Sequence, residues 1–442
     1  MYAINFPLML KNEFGGFAYI LFLSAAAYLC SSSHVEAQSI VSMPSRDELL
    51  LHTDAAETYF LQESDNLKKW FPLSTYVVGD GTPKQILLTP TAKLSNFYRF
   101  AIFPTNISDP DDSDGDGIKN SYELKVGLDP TRINSITDLA IREIDSRIID
   151  KNAAVSLSIF DNYATNGPSL LFNRNQNCWI NGLENISCIS PWNNQASNRR
   201  AGTLITPRHV IFCAHGNFFV PANRKIYFVD DSGSVIERTI LATRRHPDYS
   251  VPSIYNNDIV IGVLNQDVPS SVKRVRFFPD DWSEYLFPDI RTPSLRLNQH
   301  EEALVGDFYV GSIGQERAYH IAPTEASRLN FYFSLAAPTQ AGLYSGDSGN
   351  GGFVVIDSKL VLTNVWTYGG PGSGTSVTNE KTIINTMIGA LDTDIGDISG
   401  HSIEEIDLSK FMKLENIPLE FLPISTGTPA LIDETDYPFL VE

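Results

Sequence analysis

A histidine, an aspartate and a serine stand in three segments of the chain that could together perform nucleophilic catalysis. His215 ends the apolar run Phe212-Cys213-Ala214, Asp258 follows two asparagines, and Ser348 lies in the stretch Ser345-Gly346-Asp347-Ser348-Gly349. A serine hydroxyl becomes a good nucleophile when an imidazole accepts its proton and a carboxylate orients that imidazole. The three side chains are therefore predicted to form a catalytic triad, with the histidine as base, the aspartate as orienting group and the serine as nucleophile.

Strands and tight turns are needed to bring these distant residues together. Residues 201–215 have the pattern of a strand, a turn and a second strand that delivers His215, and Ile259 to Leu264 indicate a strand that continues from Asp258. Taken alone, the asparagines before Asp258 indicate only a turn, and the glycines around Ser348 only a permissive loop. The order of the three segments along the chain favours the catalytic interpretation.

The segments that carry these residues also share a wider pattern. Ala201 to His215, His246-Pro247-Asp248-Tyr249 followed by Asn256-Asn257-Asp258-Ile259, and Ser345 to Gly349 resemble the trypsin/chymotrypsin superfamily of serine endopeptidases. The resemblance covers residues 150–395. It implies an all-β fold, a chymotrypsin-type double β-barrel, and hydrolysis of peptide bonds through an acyl-enzyme. It also implies structural rather than chemical roles for His209 and His246.

The same resemblance implies roles for residues near the predicted nucleophile. The backbone N–H groups of Gly346 and Ser348 would form the oxyanion hole, which needs donors aimed at one point from a turn without bulky side chains. Asp347 would be buried in an ion pair that shapes this turn. Gly342 would floor the substrate pocket and Thr367-Tyr368-Gly369 would wall it. An acidic residue at the floor of this pocket would select Lys or Arg side chains of the substrate. Because Gly342 is not acidic, we expect a specificity that is not restricted to basic residues.

Cysteine usage departs from the family pattern near the predicted base. Members of the family often have a disulfide around the catalytic histidine, but here the two positions hold Arg200 and Gly216. In addition, no activation segment similar to Arg-Ile-Val-Gly-Gly precedes His215. Cys178 and Cys188 are close in sequence and are predicted to form a small-loop disulfide in an oxidising compartment. Cys213 is expected to be a buried thiol rather than a nucleophile, because apolar neighbours disfavour the thiolate.

The N-terminal residues have the pattern of a secretory leader. Gly16 to Cys30 is apolar, Lys11 precedes it, and Val35-Glu36-Ala37 offers a small-residue cleavage site. We therefore expect a signal peptide over residues 1–37 and a secreted, extracellular protein of the bacterial exoprotein type, with the periplasm as an alternative. The apolar stretch is too short for a typical membrane span, although an uncleaved anchor is a second interpretation. No membrane span is expected after the leader is removed.

Length and charge constrain the class of partner. The chain has 442 residues, more than a single domain usually contains. Its formal net charge of −19 disfavours nucleic acid as a partner and favours solubility outside the cell. The expected partner is a protein or peptide substrate, and the expected state is a monomer.

Residues 38–105 are predicted to form a small β-sandwich ahead of the protease-like domain. Apolar and polar positions alternate there, and Gly79-Asp80-Gly81 and Pro90 mark turns. Tyr59 to Ser64 and Phe97 to Phe100 resemble the fibronectin-III-like modules of bacterial exoproteins. The aromatic side chains are expected in the core rather than on a ligand platform, because each lies in a strand-like run.

An acidic linker, residues 106–135, has the spacing of a calcium-binding loop. The pattern D-x-D-x-D-G-x5-E provides oxygen ligands at alternate positions, a glycine for the sharp turn and a carboxylate at position twelve. The predicted ligands of a structural Ca²⁺ are Asp112, Asp114, Asp116 and Glu123. Ile118 stands at position seven, one place before the usual apolar residue, which resembles thrombospondin type 3 or dockerin-like segments more than a sensor EF-hand. A solvated acidic linker without Ca²⁺ is the alternative.

The end of the chain is less regular than the rest. Residues 379–391 have helical spacing and resemble the helix that closes trypsin-like domains. Residues 396–442 form an extension without an assigned role, in which Pro418, Pro423 and Pro429 prevent any long helix or strand.

Two functions of different classes fit these patterns. The three triad residues predict a secreted serine endopeptidase that needs no cofactor for catalysis. The alternative is a catalytically silent protease-like module that binds protein or glycan at a surface, with the N-terminal β-domain as its working part. An esterase role has less support, since no nucleophile elbow follows a parallel strand. Hydrolysis that depends on Ser348 would separate the first two functions.

Overall fold

The structure is a computed structural model, and the residues it describes are 41–45, 48–64, 69–88, 97–164, 171–191, 201–217, 219–250, 257–321, 325–331, 347–368 and 373–421. The chain divides into two compact units, residues 1–134 and 135–442. The fold is mostly β. The predicted leader, residues 1–37, and the last part of the extension, residues 422–442, lie outside the described residues.

The described residues of the first unit form six strands and one helix. These are β1 (Val41–Ser45), β2 (Glu48–His52), β3 (Glu57–Ser64), β4 (Phe71–Val78), β5 (Pro83–Leu87), β6 (Phe97–Pro104) and α1 (Asn120–Val126). The strands form two antiparallel sheets in the orders β1-β2-β5 and β4-β3-β6.

Apolar side chains from both sheets of the first unit share one core. Leu49 and Leu51 of β2 belong to the same buried cluster as Tyr59 of β3 and Phe100 of β6. Leu49 and Leu51 are two residues apart, and side chains at this spacing lie on the same face of a strand. The rings of Tyr59 and Phe100 meet edge to face, with centroids 6.4 Å apart. These strand aromatics are therefore core residues, as expected.

The second unit opens with helices and a short β-ribbon. They are α2 (Ile136–Ile148), α3 (Ala153–Ser156), β7 (Phe160–Ala164) and β8 (Leu171–Arg174). Ser135 begins α2 through a capping box, in which its hydroxyl accepts the N–H of Asp138 and the Asp138 carboxylate accepts the N–H of Ser135.

Two larger β-structures follow. The first is a five-stranded antiparallel sheet in the order β11-β12-β13-β10-β9. Its strands are β9 (Thr203–Leu204), β10 (His209–Phe212), β11 (Lys225–Val229), β12 (Val235–Arg245) and β13 (Val260–Leu264).

The second is a closed six-stranded barrel in the order β14-β15-β16-β19-β18-β17. Its strands, with a short helix α4 (Ala326–Leu329) between β16 and β17, are β14 (Arg291–Leu297), β15 (Ala303–Tyr309), β16 (Arg317–Ile321), β17 (Gly351–Ile356), β18 (Lys359–Tyr368) and β19 (Ser373–Ser376).

A helix follows the barrel where the sequence pattern indicates one. The predicted helix over residues 379–391 is present as α5 (Lys381–Ile395), which ends at Gly396 in the left-handed conformation at φ 72°. Short 3-10 turns complete the elements, at Ile186–Cys188, His215–Asn217, Trp282–Glu284, Val310–Ser312, Leu414–Asn416 and Leu419–Phe421.

One apolar core joins the five-stranded sheet, the closed barrel and the helices of the second unit. It includes Ile144 of α2, Phe212 of β10, Phe353 of β17 and Ile388 of α5. The described part of the extension packs against this unit, because the N–H of Phe277 donates to the Glu404 carbonyl at 2.9 Å.

The predicted disulfide between Cys178 and Cys188 is not formed in the structure, where both residues are buried free thiols. Both belong to the main core of the second unit and pack there as small apolar side chains. Burial raises the pKa of the Cys178 thiol to about 11 and also raises that of Cys188. The pair therefore gives no support to an oxidising compartment.

Within the described ranges, no helix has both the length and the apolar composition that a membrane span requires.

Candidate active site

The predicted base lies just after the end of a central strand of the five-stranded sheet. β10 lies between β9 and β13, and all four of its residues, His209–Phe212, are buried. Cys213 and Ala214 are also buried, and His215 then begins a 3-10 turn. Gly216 follows at φ 55°, a left-handed conformation that favours glycine. A rigid strand and a permissive turn thus position the imidazole.

Strand pairing brings the predicted aspartate next to this histidine. β10 and β13 are antiparallel, with Phe212 opposite Val260, so the end of one strand adjoins the start of the other. Asp258 precedes β13 and is fully buried. Asn257 before it has a φ of 60°, in the left-handed region that asparagine tolerates better than most residues.

The Asp258 carboxylate accepts three hydrogen bonds from the histidine segment. Its Oδ1 accepts the backbone N–H groups of Ala214 at 2.7 Å and His215 at 2.8 Å. Its Oδ2 lies 2.6 Å from the Nδ1 atom of His215. An ionised carboxylate can only accept a hydrogen bond, so this contact favours the tautomer that has the proton on Nδ1 and leaves Nε2 as an acceptor. This is the tautomer that a general base requires.

A residue of the closed barrel fixes the backbone of the aspartate. The N–H of Asp258 donates to the Oγ1 atom of Thr375 at 2.9 Å. Thr375 lies in β19 and is fully buried. No local sequence pattern indicates this role for Thr375.

The predicted nucleophile lies in the turn that precedes β17. The Oγ atom of Ser348 is 2.9 Å from the Nε2 atom of His215 and 3.3 Å from the carbonyl oxygen of Thr367 in β18. Gly349 continues the turn at φ 96° and donates its N–H to the Trp366 carbonyl at 3.0 Å. Two adjacent barrel strands therefore hold the serine at the imidazole.

The structure brings together the three predicted triad residues but describes only part of the predicted surroundings. Thr367 lies beside the nucleophile through its carbonyl group, and the backbone of Tyr368 pairs with Ser373. Three further residues of the prediction, the pocket glycines Gly342 and Gly369 and the oxyanion-hole residue Gly346, lie outside the described residues.

Asp347 is buried directly before the nucleophile. It is fully buried, and its Oδ1 accepts the backbone N–H of Gln299 at 2.8 Å. Gln299 follows β14, so the carboxylate links the turn of the nucleophile to another barrel strand. A charge-assisted bond of this kind restricts the turn. Nothing in the local sequence pattern indicates Gln299 as the donor.

Three of the four predicted metal ligands lie close together in the first unit, and the fourth, Glu123, interacts electrostatically with them. Single carboxylate oxygens of Asp112, Asp114 and Asp116 lie within 4.8 Å of one another. Asp112 shapes the loop by accepting the N–H groups of Gly115 at 2.9 Å and of residue 117 at 3.1 Å. Glu123 is fully buried on α1 and accepts a side-chain N–H of Asn134 at 3.1 Å.

The charges of this acidic cluster are poorly compensated among the described residues. The Oδ2 atom of Asp114 and the Oε2 atom of Glu123 are buried there without a hydrogen-bond partner. Burial and the neighbouring carboxylates raise the pKa of Asp116 to about 7 and that of Glu123 to about 10. Carboxylates that oppose one another's ionisation in this way would be stabilised as anions by a bound cation. Oxygen-only ligands fit a hard cation such as Ca²⁺.

Neither a scan of protein-family models nor a search of curated proteins gives a match to this chain. Support for a function therefore comes from the residues and their geometry.

Proposed function

We propose that the second unit is a serine endopeptidase that cleaves peptide bonds through an acyl-enzyme. The observation that carries this proposal is the continuous contact from Asp258 Oδ2 to His215 Nδ1 at 2.6 Å and from His215 Nε2 to Ser348 Oγ at 2.9 Å. Three segments far apart in the chain supply these groups. This is the arrangement that serine activation needs.

The residues have definite roles in this reaction. As Ser348 Oγ attacks the substrate carbonyl carbon, His215 Nε2 would accept its proton, and Asp258 would stabilise the resulting imidazolium. The imidazolium then gives the proton to the leaving amine, which departs as the acyl-serine ester forms. A water molecule, deprotonated by the same imidazole, would then attack the ester carbonyl. As the ester C–O bond breaks and the acid leaves, the imidazolium would return the proton to Ser348 Oγ.

The backbone around the serine would stabilise the tetrahedral oxyanion. We assign this role to the N–H groups of Ser348 and Gly346, because a glycine-containing turn ahead of β17 can aim both at one point. Thr367, Tyr368, Gly369 and Gly342 would line the substrate pocket. The 3.3 Å contact between the Thr367 carbonyl and Ser348 Oγ supports the proximity of this wall to the nucleophile.

We further propose that the five-stranded sheet and the closed barrel correspond to the two barrels of a chymotrypsin-type domain. The distribution of the triad supports this assignment, since His215 and Asp258 flank strands of the sheet and Ser348 precedes a strand of the barrel. All three groups come from one chain, which supports catalysis by a monomer. The leader pattern supports secretion, and the substrate would be protein or peptide.

The acidic cluster is proposed to hold a structural Ca²⁺ through Asp112, Asp114, Asp116 and Glu123. Its support is the close grouping of carboxylate oxygens together with two buried oxygens that lack partners among the described residues. A bound cation would tie the loop to α1 and leave the catalytic chemistry to the triad.

Hydrolysis of casein by a matched set of variants tests the catalytic proposal. The full chain should digest casein, Ser348→Ala should not, and Ser409→Ala, which changes an exposed serine of the same unit, should match the wild type. Equal digestion by Ser348→Ala would contradict the assigned nucleophile. No digestion of any protein by the wild type would favour the catalytically silent binding module.

A further inference from the structure

A second cluster of histidine and aspartate side chains lies where α5 ends against the start of β10. His209 is the first residue of β10, Asp392 is in the last turn of α5, and His401 follows that helix. One potential ligand atom from each of the three lies within 4.8 Å of the other two. This cluster uses none of the triad residues and does not depend on the proposed peptidase function.

One imidazole nitrogen of this cluster is buried without a hydrogen bond. The side chain of His209 is fully buried, and its Nε2 atom has no hydrogen-bond partner among the described residues. That atom lies 3.3 Å from Oδ1 of Asp392, near enough for an ion pair but without hydrogen-bond geometry. Its other nitrogen, Nδ1, is 2.8 Å from Oγ1 of Thr206. Burying a polar nitrogen without a hydrogen bond or a metal ion costs free energy, so a ligand that binds this atom would be stabilising.

The two separations that involve Asp392 match those between ligand atoms of a tetrahedral metal ion. Oδ1 of Asp392 lies 3.3 Å from Nε2 of His209 and 3.3 Å from Nδ1 of His401. Two ligand atoms at the usual nitrogen and oxygen distances from a tetrahedral zinc are separated by about 3.3 Å. A single carboxylate oxygen therefore stands at ligand spacing from both imidazoles.

The outer contacts of the two imidazoles also fit a metal site. Metal-bound histidines usually direct their second nitrogen to an oxygen. Thr206 Oγ1 occupies that place for His209, and Asp267 Oδ1 lies 3.5 Å from Nε2 of His401. The second nitrogen of each ring therefore faces an oxygen atom, as the second nitrogen of a metal-bound histidine usually does.

The surrounding charge favours a cation. Asp267, Asp392 and Asp397 all lie within ion-pair distance of His401. Among the described residues, Arg208 binds Asp397 and Arg238 interacts electrostatically with Asp267. The three carboxylates therefore outnumber the two guanidinium groups that face them.

We propose that His209, Asp392 and His401 bind a divalent transition-metal ion, and that zinc is the best match to this donor set. Two imidazoles and a carboxylate suit zinc better than they suit calcium or magnesium. The fourth position would be filled by water or by Asp397. The ion would fasten the end of α5 to β10, and therefore to the strand that leads into His215.

Zinc content and thermal stability of the full chain test this proposal. The protein is stripped with 1,10-phenanthroline in excess Ca²⁺, so that the acidic loop of the first unit stays supplied, and is then titrated with zinc. We expect about one zinc per chain and a rise of several degrees in Tm as zinc is restored. Cobalt in place of zinc should give the intense visible absorption of a tetrahedral site.

Variants separate this cluster from other histidine and carboxylate groups. His401→Ala and Asp392→Asn should lose the zinc, the Tm shift and the cobalt spectrum, whereas His300→Ala, an exposed histidine elsewhere in the unit, and His215→Ala should keep them. A wild type that binds no zinc and shows no Tm shift would overturn the proposal, and this result needs no variant to fold. Zinc retained by His401→Ala but lost from His215→Ala would also overturn it, by placing the metal at the triad.

Discussion

The N–H of Asp258 donates a hydrogen bond of 2.9 Å to the hydroxyl of Thr375, a residue 117 positions away in the closed barrel. Through this bond, a barrel strand supports the carboxylate that orients His215 in the five-stranded sheet. The aspartate is thus fixed by its own side-chain contacts and by a neighbour from the other β-structure. In the proposed enzyme, this hydrogen bond would help to keep Asp258 in its productive geometry.

Thr375→Val should therefore lower activity without unfolding the protein. Valine has nearly the same shape but leaves the buried N–H of Asp258 without an acceptor, at a cost of about 1–3 kcal/mol in unfolding free energy. We expect kcat/KM to fall by roughly 10–100-fold. Thr375→Ser, which keeps the hydroxyl, should restore most of the activity. A valine variant as active as wild type would show that the bond does not position Asp258.

Asp258→Asn should affect catalysis much more strongly than folding. The asparagine Oδ1 can still accept the two backbone N–H groups, but its amide donates to Nδ1 of His215 and imposes the other tautomer. Nε2 then carries a proton and cannot accept one from Ser348. We expect kcat to fall by about 10³–10⁴-fold near neutral pH. Circular dichroism should show an unchanged fold. A decrease in kcat of less than about tenfold would contradict the role assigned to Asp258.

Calcium should stabilise the first unit through its acidic loop. If the proposed Ca²⁺ is bound, its removal would leave the carboxylates of Asp112, Asp114, Asp116 and Glu123 without a counter-ion, so chelation should lower the melting temperature of the wild type. Glu123→Gln should reduce the Ca²⁺-dependent shift. Glu63→Gln, which changes an acid of β3 outside the cluster, should retain it. An unchanged melting temperature of the wild type on chelation would remove calcium from the account.

Glu143 should make the second unit less stable as pH rises. This α2 residue accepts the N–H of Ser358, and burial raises its pKa from 4.5 to about 7. The folded chain therefore holds the proton more tightly than the unfolded chain. The resulting stabilisation is complete below about pH 4.5 and disappears as pH rises through about 7, with a total of at most ~3 kcal/mol.

Urea unfolding across this pH range measures the effect. Glu143→Gln, which cannot ionise, should show a flatter dependence of unfolding free energy on pH than the wild type. Glu184→Gln, which alters an exposed glutamate of the same unit, should follow the wild type. Identical pH profiles for the wild type and Glu143→Gln would contradict the raised pKa.

Local sequence patterns were sufficient for some of these features but not for others. The proximity of His215, Asp258 and Ser348 could be predicted because each residue has a distinctive short context, and α5 could be predicted because its apolar spacing is regular. Thr375 and Gln299 could not, since their contacts depend on the pairing of strands far apart in the chain. The prediction of a disulfide between Cys178 and Cys188 was wrong. Two cysteines that are close in sequence need not pair when each side chain packs in the apolar core instead.

Helix α2 was overlooked although its signals are present in the sequence. Ser135 and Asp138 form the capping box, and buried residues recur at helical spacing from Ile136 to Ile148. The buried Glu143 lies on that apolar face and weakens the pattern. A carboxylate that accepts a backbone N–H from a distant turn can be recognised only once the fold is known.

Labelling with a fluorophosphonate probe tests the assembled triad most directly, because the reaction requires a serine activated by its base. Mass spectrometry of the full chain should locate the adduct on Ser348, and His215→Ala should abolish it while His300→Ala leaves it intact. An adduct on another residue, or equal labelling of Ser348 in His215→Ala, would contradict the central claim that these residues form a working triad.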